Sequence, residues 1–150
     1  MTTKASIDKF MSQPVLAVAG VSRDSRKFGN AAYRELKAKG FRVLAINPNA
    51  QTIEGDPCYP SLKALPEKVG GLIICTTPAV SEQLVREAAE VGISNVWLQQ
   101  GAQSPAAIQF CQEHGINVVA SECILMYQPN PAFFHGMHKF VKEVFGGKPK

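Results

Sequence analysis

Apolar runs alternate with helical periodicity along the whole chain. Residues 15–21 (Val-Leu-Ala-Val-Ala-Gly-Val) form an apolar run without alternation, the pattern of a strand buried on both faces. After a polar loop, residues 30–39 place Ala31, Ala32, Leu36 and Lys37 at helical spacing, and Gly40 supplies a stop. Residues 41–46 read as a second strand, closed by Asn47-Pro48-Asn49. Residues 51–65 hold Gly55, Pro57 and Pro60, so they read as loop with one short helical turn starting at Ser61-Leu62. A third strand over 71–75 runs into Thr76-Thr77-Pro78, where Pro78 suits the first turn of a helix carrying Val80, Leu84, Val85, Ala88 and Ala89 on one face. A fourth strand spans 95–98. Ser104-Pro105 then opens a helix through His114, Gly115 closes it, and 116–119 form a fifth strand. At the front, residues 1–13 carry Ile7, Phe10 and Met11 in an amphipathic pattern, a helix expected on the domain edge. Residues 126–145 add a helix with an aromatic face built from Phe133, Phe134, Phe140 and Phe145.

Strands alternating with helices, each crossover long enough for a parallel connection, imply an α/β fold. The expected architecture is a Rossmann-like doubly wound parallel sheet of about five strands with helices on both faces. Its core would cover about 13–124, with a C-terminal helical tail at about 130–146.

Composition narrows the class. The 150 residues are 45% hydrophobic and 19% charged, as in a soluble globular chain, which excludes a disordered or fibrous one and fits a single domain over 1–150. No uninterrupted apolar stretch is long enough for a membrane span, and the N-terminus lacks the apolar core of a signal peptide, so a cytoplasmic protein without a membrane partner is expected. The net charge of +4 is spread without any basic run longer than a pair, so no nucleic-acid partner is expected. Part of the excess sits at Arg23, Arg26 and Lys27, directly after the first strand. The four cysteines, Cys58, Cys75, Cys111 and Cys123, include no Cys-x-x-Cys pair and read as free thiols, Cys75 as core packing. Cys123 with His135 and His138 is the only conceivable zinc cluster, and no metal is expected.

In an open parallel sheet ligands lie beyond the carboxyl ends of the strands, where strand order reverses. Gly20-Val21-Ser22 begins like a dinucleotide fingerprint, but Ser22 stands where a second glycine belongs. The next glycine, Gly29, follows only after six intervening residues. This longer loop carries Arg23, Arg26 and Lys27 and ends on Phe28-Gly29-Asn30 at a helix start. It can present a hydroxyl, backbone N–H groups and cations to phosphate together. After the second strand, Asn47-Pro48 stands where a ribose-binding acid would support NAD, so a ligand with a phosphorylated ribose is better tolerated.

Gly20-Val21-Ser22, Gly29, Val43-x-x-Ile46-Asn47-Pro48 and Ile53-x-Gly55-x-x-Cys58-Tyr59-x-Ser61-Leu62 occur in an order and spacing that carry a resemblance. So do Thr76-Thr77-Pro78, residues 96–102 (Val-Trp-Leu-Gln-Gln-Gly-Ala) and Gly115-Ile116-x-Val118-Val119. Over about 13–124 the chain resembles the small bacterial and archaeal CoA-binding proteins, whose domain is similar to the nucleotide-binding domain of the succinyl-CoA synthetase alpha subunit. The resemblance implies that Gly20, Ser22 and the stretch Arg23 to Lys27 meet the phosphates of CoA, with Phe28, Gly29 and Asn30 at the helix start. It places Asn47 and Pro48 beside the ribose and its 3′-phosphate. Thr76, Thr77, Pro78 and Val80 would border the adenine end, and Gln100 and Gly101 the pantetheine arm. Many relatives carry Arg-Cys or Lys-Cys after the fifth strand, where this chain has Glu122-Cys123, and the synthetases carry a catalytic phosphohistidine in a later domain.

The expected function is therefore binding of CoA or acyl-CoA by a non-catalytic module, a carrier or a sensor. The alternatives are an NAD(P)-binding oxidoreductase or sensor and an acyl-CoA-handling transferase that uses Cys123. A homodimer through the aromatic C-terminal helix is a further expectation.

Overall fold

The structure, a computed structural model, describes residues 2–129. The aromatic tail helix, the dimer contact assigned to it, His135 and His138 lie outside the described residues. Seven strands make one sheet: β1 (Val15–Ala19), β2 (Arg42–Ile46), β3 (Thr52–Ile53), β4 (Asp56–Tyr59), β5 (Gly71–Ile74), β6 (Asn95–Gln99) and β7 (Asn117–Glu122). Their order is β3-β4-β2-β1-β5-β6-β7, with every neighbouring pair parallel except β3 and β4. The chain leaves β1 toward β2 on one side and returns with β5 on the other. The switch point of this Rossmann-like fold therefore lies between the carboxyl ends of β1 and β5.

The unalternating apolar runs have a plain cause. Leu16, Val18, Ile73 and Trp97 face a core under α1 (Lys4–Met11) and α2 (Phe28–Ala38). Their neighbours Ala17, Ala19, Leu72, Ile74, Val96 and Leu98 face a second core under α3 (Pro78–Glu90) and α4 (Pro105–Glu113). With a helix layer on each face, both side-chain sets of every central strand are dry. Trp97 is fully buried, with Phe10 (5.3 Å between centroids) and Tyr127 (5.5 Å) edge-on to its ring. Pro78 occupies the first turn of α3, and Ser104 caps α4 by accepting from the Ala107 N–H, as their sequence predicts.

Two expectations are corrected. The sheet has seven strands because residues 51–65, read as loop, contain the β3–β4 hairpin before the short helical turn Leu62–Ala64. β3 is only a residue pair and β4 contains Pro57, so neither carries a readable period. The hairpin turns on Glu54 and Gly55, both at positive φ (53° and 81°), the requirement of a type I′ turn. The amphipathic helix expected at the front is α1, over the edge strand β7: Phe10 and Met11 are buried, and Asn117 Nδ2 donates to the Ser6 carbonyl (3.0 Å) to hold it there. Finally, β5 stops at Ile74, so Cys75 packs against the first core but also reaches the carboxyl edge of the sheet. Among the described residues no helix is long and apolar enough to cross a membrane.

Candidate functional site

Gly20 ends β1 at φ 106° with its backbone against Cys75: a Cβ built there would lie 2.3 Å from the Cys75 carbonyl oxygen. Gly29, in the first turn of α2, approaches from the other side, and its Cβ would lie 2.2 Å from the Gly20 oxygen. Three backbones meet here at distances only glycine allows. That contact brings the start of α2 onto the end of β1 despite the longer loop between them.

Residues 21–27 are held by side chains. Asn30, 1% exposed, grips Ser22 twice: the Ser22 N–H donates to Asn30 Oδ1 (2.7 Å) and Asn30 Nδ2 donates to the Ser22 carbonyl (2.7 Å). The other Nδ2 hydrogen goes to Glu54 Oε2 (2.9 Å), which also accepts from Arg34 (2.9 Å). Asn47 braces the same loop from β2, donating to the Val21 carbonyl (2.9 Å) while accepting from the Asn49 N–H (2.7 Å). Ser22 Oγ accepts from the Asp24 N–H (3.0 Å), so its own hydrogen is free to donate outward.

Charge in the loop is only partly neutralised. Arg26 makes a two-pronged pair with Asp24 (3.0 and 3.1 Å), which holds the Asp24 carboxyl below the usual carboxylate range. Arg23 and Lys27 are exposed and make no salt bridge among the described residues. Lys27 precedes α2 without a side-chain cap, and Thr77 precedes α3 in the same way. First-turn N–H groups of both helices thus remain available to an anion at the switch point.

Beside this loop a cleft of about 410 Å³ is lined by Phe28, Cys75, Thr76, Gln99, Gln100, Gly101, Ala102 and Cys123. Its walls come from four loops far apart in sequence. A register shift between β6 and β7, with Ser121 at φ 66°, turns the chain after β7 toward the cleft. Gln99, 5% exposed, fixes that turn by accepting the Ile124 N–H (3.0 Å). Trp97 Nε1 donates to the Glu122 carbonyl (3.1 Å), and the Glu122 carboxylate accepts from Tyr127 (2.6 Å). A larger groove of about 500 Å³ lies elsewhere, along the open edge of β2 between Tyr33, Phe41 and Tyr59. It is remote from the switch point and holds none of the site residues read from the sequence.

Of the predicted positions, Phe28, Thr76, Gln100 and Gly101 share the cleft. Gly20, Ser22, Gly29, Asn30 and Asn47 form the braced cluster beside it. Arg23, Lys27, Pro48, Thr77, Pro78 and Val80 sit at the surface around them. Thr76 Oγ1 pairs with Ser81 Oγ (3.0 Å) at the start of α3. Sequence reasoning missed Cys75 and Glu54. The Thr-Thr-Pro immediately after Cys75 was the available signal for the first. For Glu54 no local signal exists, because its partners sit on α2.

A family model described as a CoA binding domain matches residues 15–129. The chain is 26% identical over 130 residues to the acetate–CoA ligase (ADP-forming) I of Archaeoglobus fulgidus, covering 80% of this chain and 19% of that protein. It is 23% identical to the acetate–CoA ligase (ADP-forming) II subunit alpha of Pyrococcus furiosus, covering 79% of this chain and 28% of the relative. The chain thus spans well under a third of the length of these curated relatives. Among solved structures it is similar to a conserved hypothetical protein from Pyrococcus furiosus (36% identity, TM-score 0.71, covering 74% of this chain and 96% of that one). It is also similar to a hypothetical protein from Pyrococcus horikoshii (25% identity, TM-score 0.78, covering 83% and 88%).

Proposed function

The chain belongs to the CoA binding domain family, and we propose from this that it binds CoA or an acyl-CoA at the carboxyl edge of its sheet, as a single non-catalytic module serving as carrier or sensor. The observation that carries this reading is the convergence of the braced, cationic loop 20–30 and the 410 Å³ cleft on one switch point.

The donor set fits a phosphate-rich ligand with a long uncharged arm. Ser22 Oγ–H, the uncapped first turn of α2 at Phe28 and Gly29, Arg23 and Lys27 offer donors and positive charge for phosphoryl oxygens. Asn30 works on the protein side, holding Ser22 in place. Asn47 and Pro48 border the ribose and its 3′-phosphate. Thr76, Thr77, Pro78 and Val80 border the adenine, where exposed Val80 supplies apolar surface. Gln100 and Gly101 line the way out for the pantetheine arm. Asn47 rather than an acid at the end of β2 disfavours NAD.

The test compares thermal stabilisation and calorimetric binding with CoA, acetyl-CoA, NAD, NADP and ADP at matched concentrations. A ligand that binds only the native state at a hundred times its Kd stabilises by about 2.7 kcal/mol, so the CoA series raises the melting temperature. A response to NAD or NADP with none to CoA refutes the reading. Ser22→Ala with Lys27→Ala weakens CoA by roughly 10- to 100-fold, the worth of one hydrogen bond to a charged group and one cation. Unchanged affinity in that double variant removes the loop from the site.

A further inference from the structure

We infer that Cys123 is a thiol-exchange site, forming a reversible mixed disulfide with the disulfide form of CoA inside the cleft. This inference rests on the reading that the cleft belongs to a CoA site. Its own ground is that two free thiols, Cys75 from the end of β5 and Cys123 from the end of β7, line one cavity beside the positions assigned to the pantetheine arm. A CoA molecule carries its only thiol at the far end of that arm. The proposed site would therefore bring a sulfur-terminated ligand into a cavity whose wall already holds sulfur.

The fold presents Cys123 deliberately. On one side Glu122 is tied through its carbonyl to Trp97 Nε1, and on the other the Ile124 N–H is tied to Gln99 Oε1 (3.0 Å). The residue between these tethers is half-buried and lines the cleft. Burial acts on the remaining cysteines. Burial pushes the Cys75 thiol up to about 12, with Cys123 nearby adding to the shift. Burial likewise raises Cys111 to about 11 and lifts Cys58 above its ordinary value. Since the thiolate is the attacking form, these shifts lower the reactive fraction of all three.

The chemistry balances without further reagents. The Cys123 thiolate attacks one sulfur of CoA disulfide. A bond forms between Cys123 Sγ and that sulfur while the original S–S bond breaks. The second CoA departs as a thiolate and takes up the proton that Cys123 released. The protein thiol is oxidised, CoA disulfide supplies the oxidising equivalent, and one reduced CoA is the product.

The experiment incubates the full chain with CoA disulfide and measures intact mass, followed by peptide mapping and by dithiothreitol treatment. The expected result is a mass gain of one CoA less two hydrogens, located on the peptide containing Cys123 and lost on reduction. The rate should exceed that with pantethine, which lacks the nucleotide, by at least about tenfold, because binding supplies proximity. Excess ADP phosphorylated at the 3′ position should slow the reaction with CoA disulfide and leave that with pantethine unaffected. Cys123→Ser should abolish the adduct while melting as a folded protein. Equal rates with the two disulfides mark an exposed thiol and overturn the inference, and so does an adduct mapped to Cys75. Calorimetry with reduced CoA separates the two readings. Binding without an adduct overturns only the thiol-exchange site, whereas no binding overturns the CoA reading beneath it.

Discussion

Asn30→Ala tests the idea that one buried amide organises the loop after β1. The substitution removes two hydrogen bonds donated by Nδ2, one to the Ser22 carbonyl and one to the Glu54 carboxylate, and removes the acceptor for the Ser22 N–H. The neutral bond contributes about 1 kcal/mol and the bond to a charged group about 1.5–3 kcal/mol. Ser22 is only half-buried, so water recovers part of the orphaned N–H. The expected loss is about 2.5–4 kcal/mol of unfolding free energy, a fall in melting temperature of roughly 5–15 °C for a chain of this size. Urea unfolding should show a lower midpoint with an unchanged m value, since the native fold persists. Glu54→Gln should lose less, because the amide oxygen still accepts from Nδ2. The double variant should deviate from additivity by more than about 0.5 kcal/mol, as contacting residues do. CoA affinity should fall together with stability, since Ser22 loses its orientation. A loss below about 0.5 kcal/mol with additive behaviour would refute the clasp.

Gly29→Ala puts a methyl group 2.2 Å from the Gly20 oxygen, an atom that cannot swing aside, so the start of α2 must shift. Overpacking of this kind costs about 1–3 kcal/mol, and an unchanged melting temperature contradicts the close approach. Stability should also fall at alkaline pH. Burial keeps Cys75 protonated in the folded chain up to about 12, whereas the unfolded thiol ionises near 9.0. The contribution is whole below 9.0 and is lost as pH rises from there toward about 12, with Cys111 acting the same way toward about 11. Denaturation midpoints on either side of pH 9.0 should fall less steeply in Cys75→Ala. An identical slope in that variant refutes the assignment.

The elements with long apolar runs are legible in the sequence. β1, β2, β5, β6 and β7 and the helices between them declared themselves because burial on both faces leaves unbroken hydrophobic stretches, and because Pro78, Ser104 and Gly40 punctuate the ends locally. The β3–β4 hairpin did not, since its short strands are stabilised by pairing with β2 rather than by a pattern of their own. The loop residues Gly20, Ser22, Gly29 and Asn47 stood out by type and position. Their roles did not, because Asn30 and Asn47 read equally well as ligand contacts or as the loop braces they form.

By itself the sequence determined the alternation of strand and helix, the cationic loop after β1 and the missing acid after β2, all written in neighbouring residues. Only the tertiary structure decided which loops meet. Strand order places β1 beside β5 and β5 beside β6, and a shifted register swings Cys123 back toward Cys75. Glu54 reaches Asn30 only because a hairpin too short to show a period lies against α2. Such contacts depend on pairing between distant segments, which local periodicity does not encode.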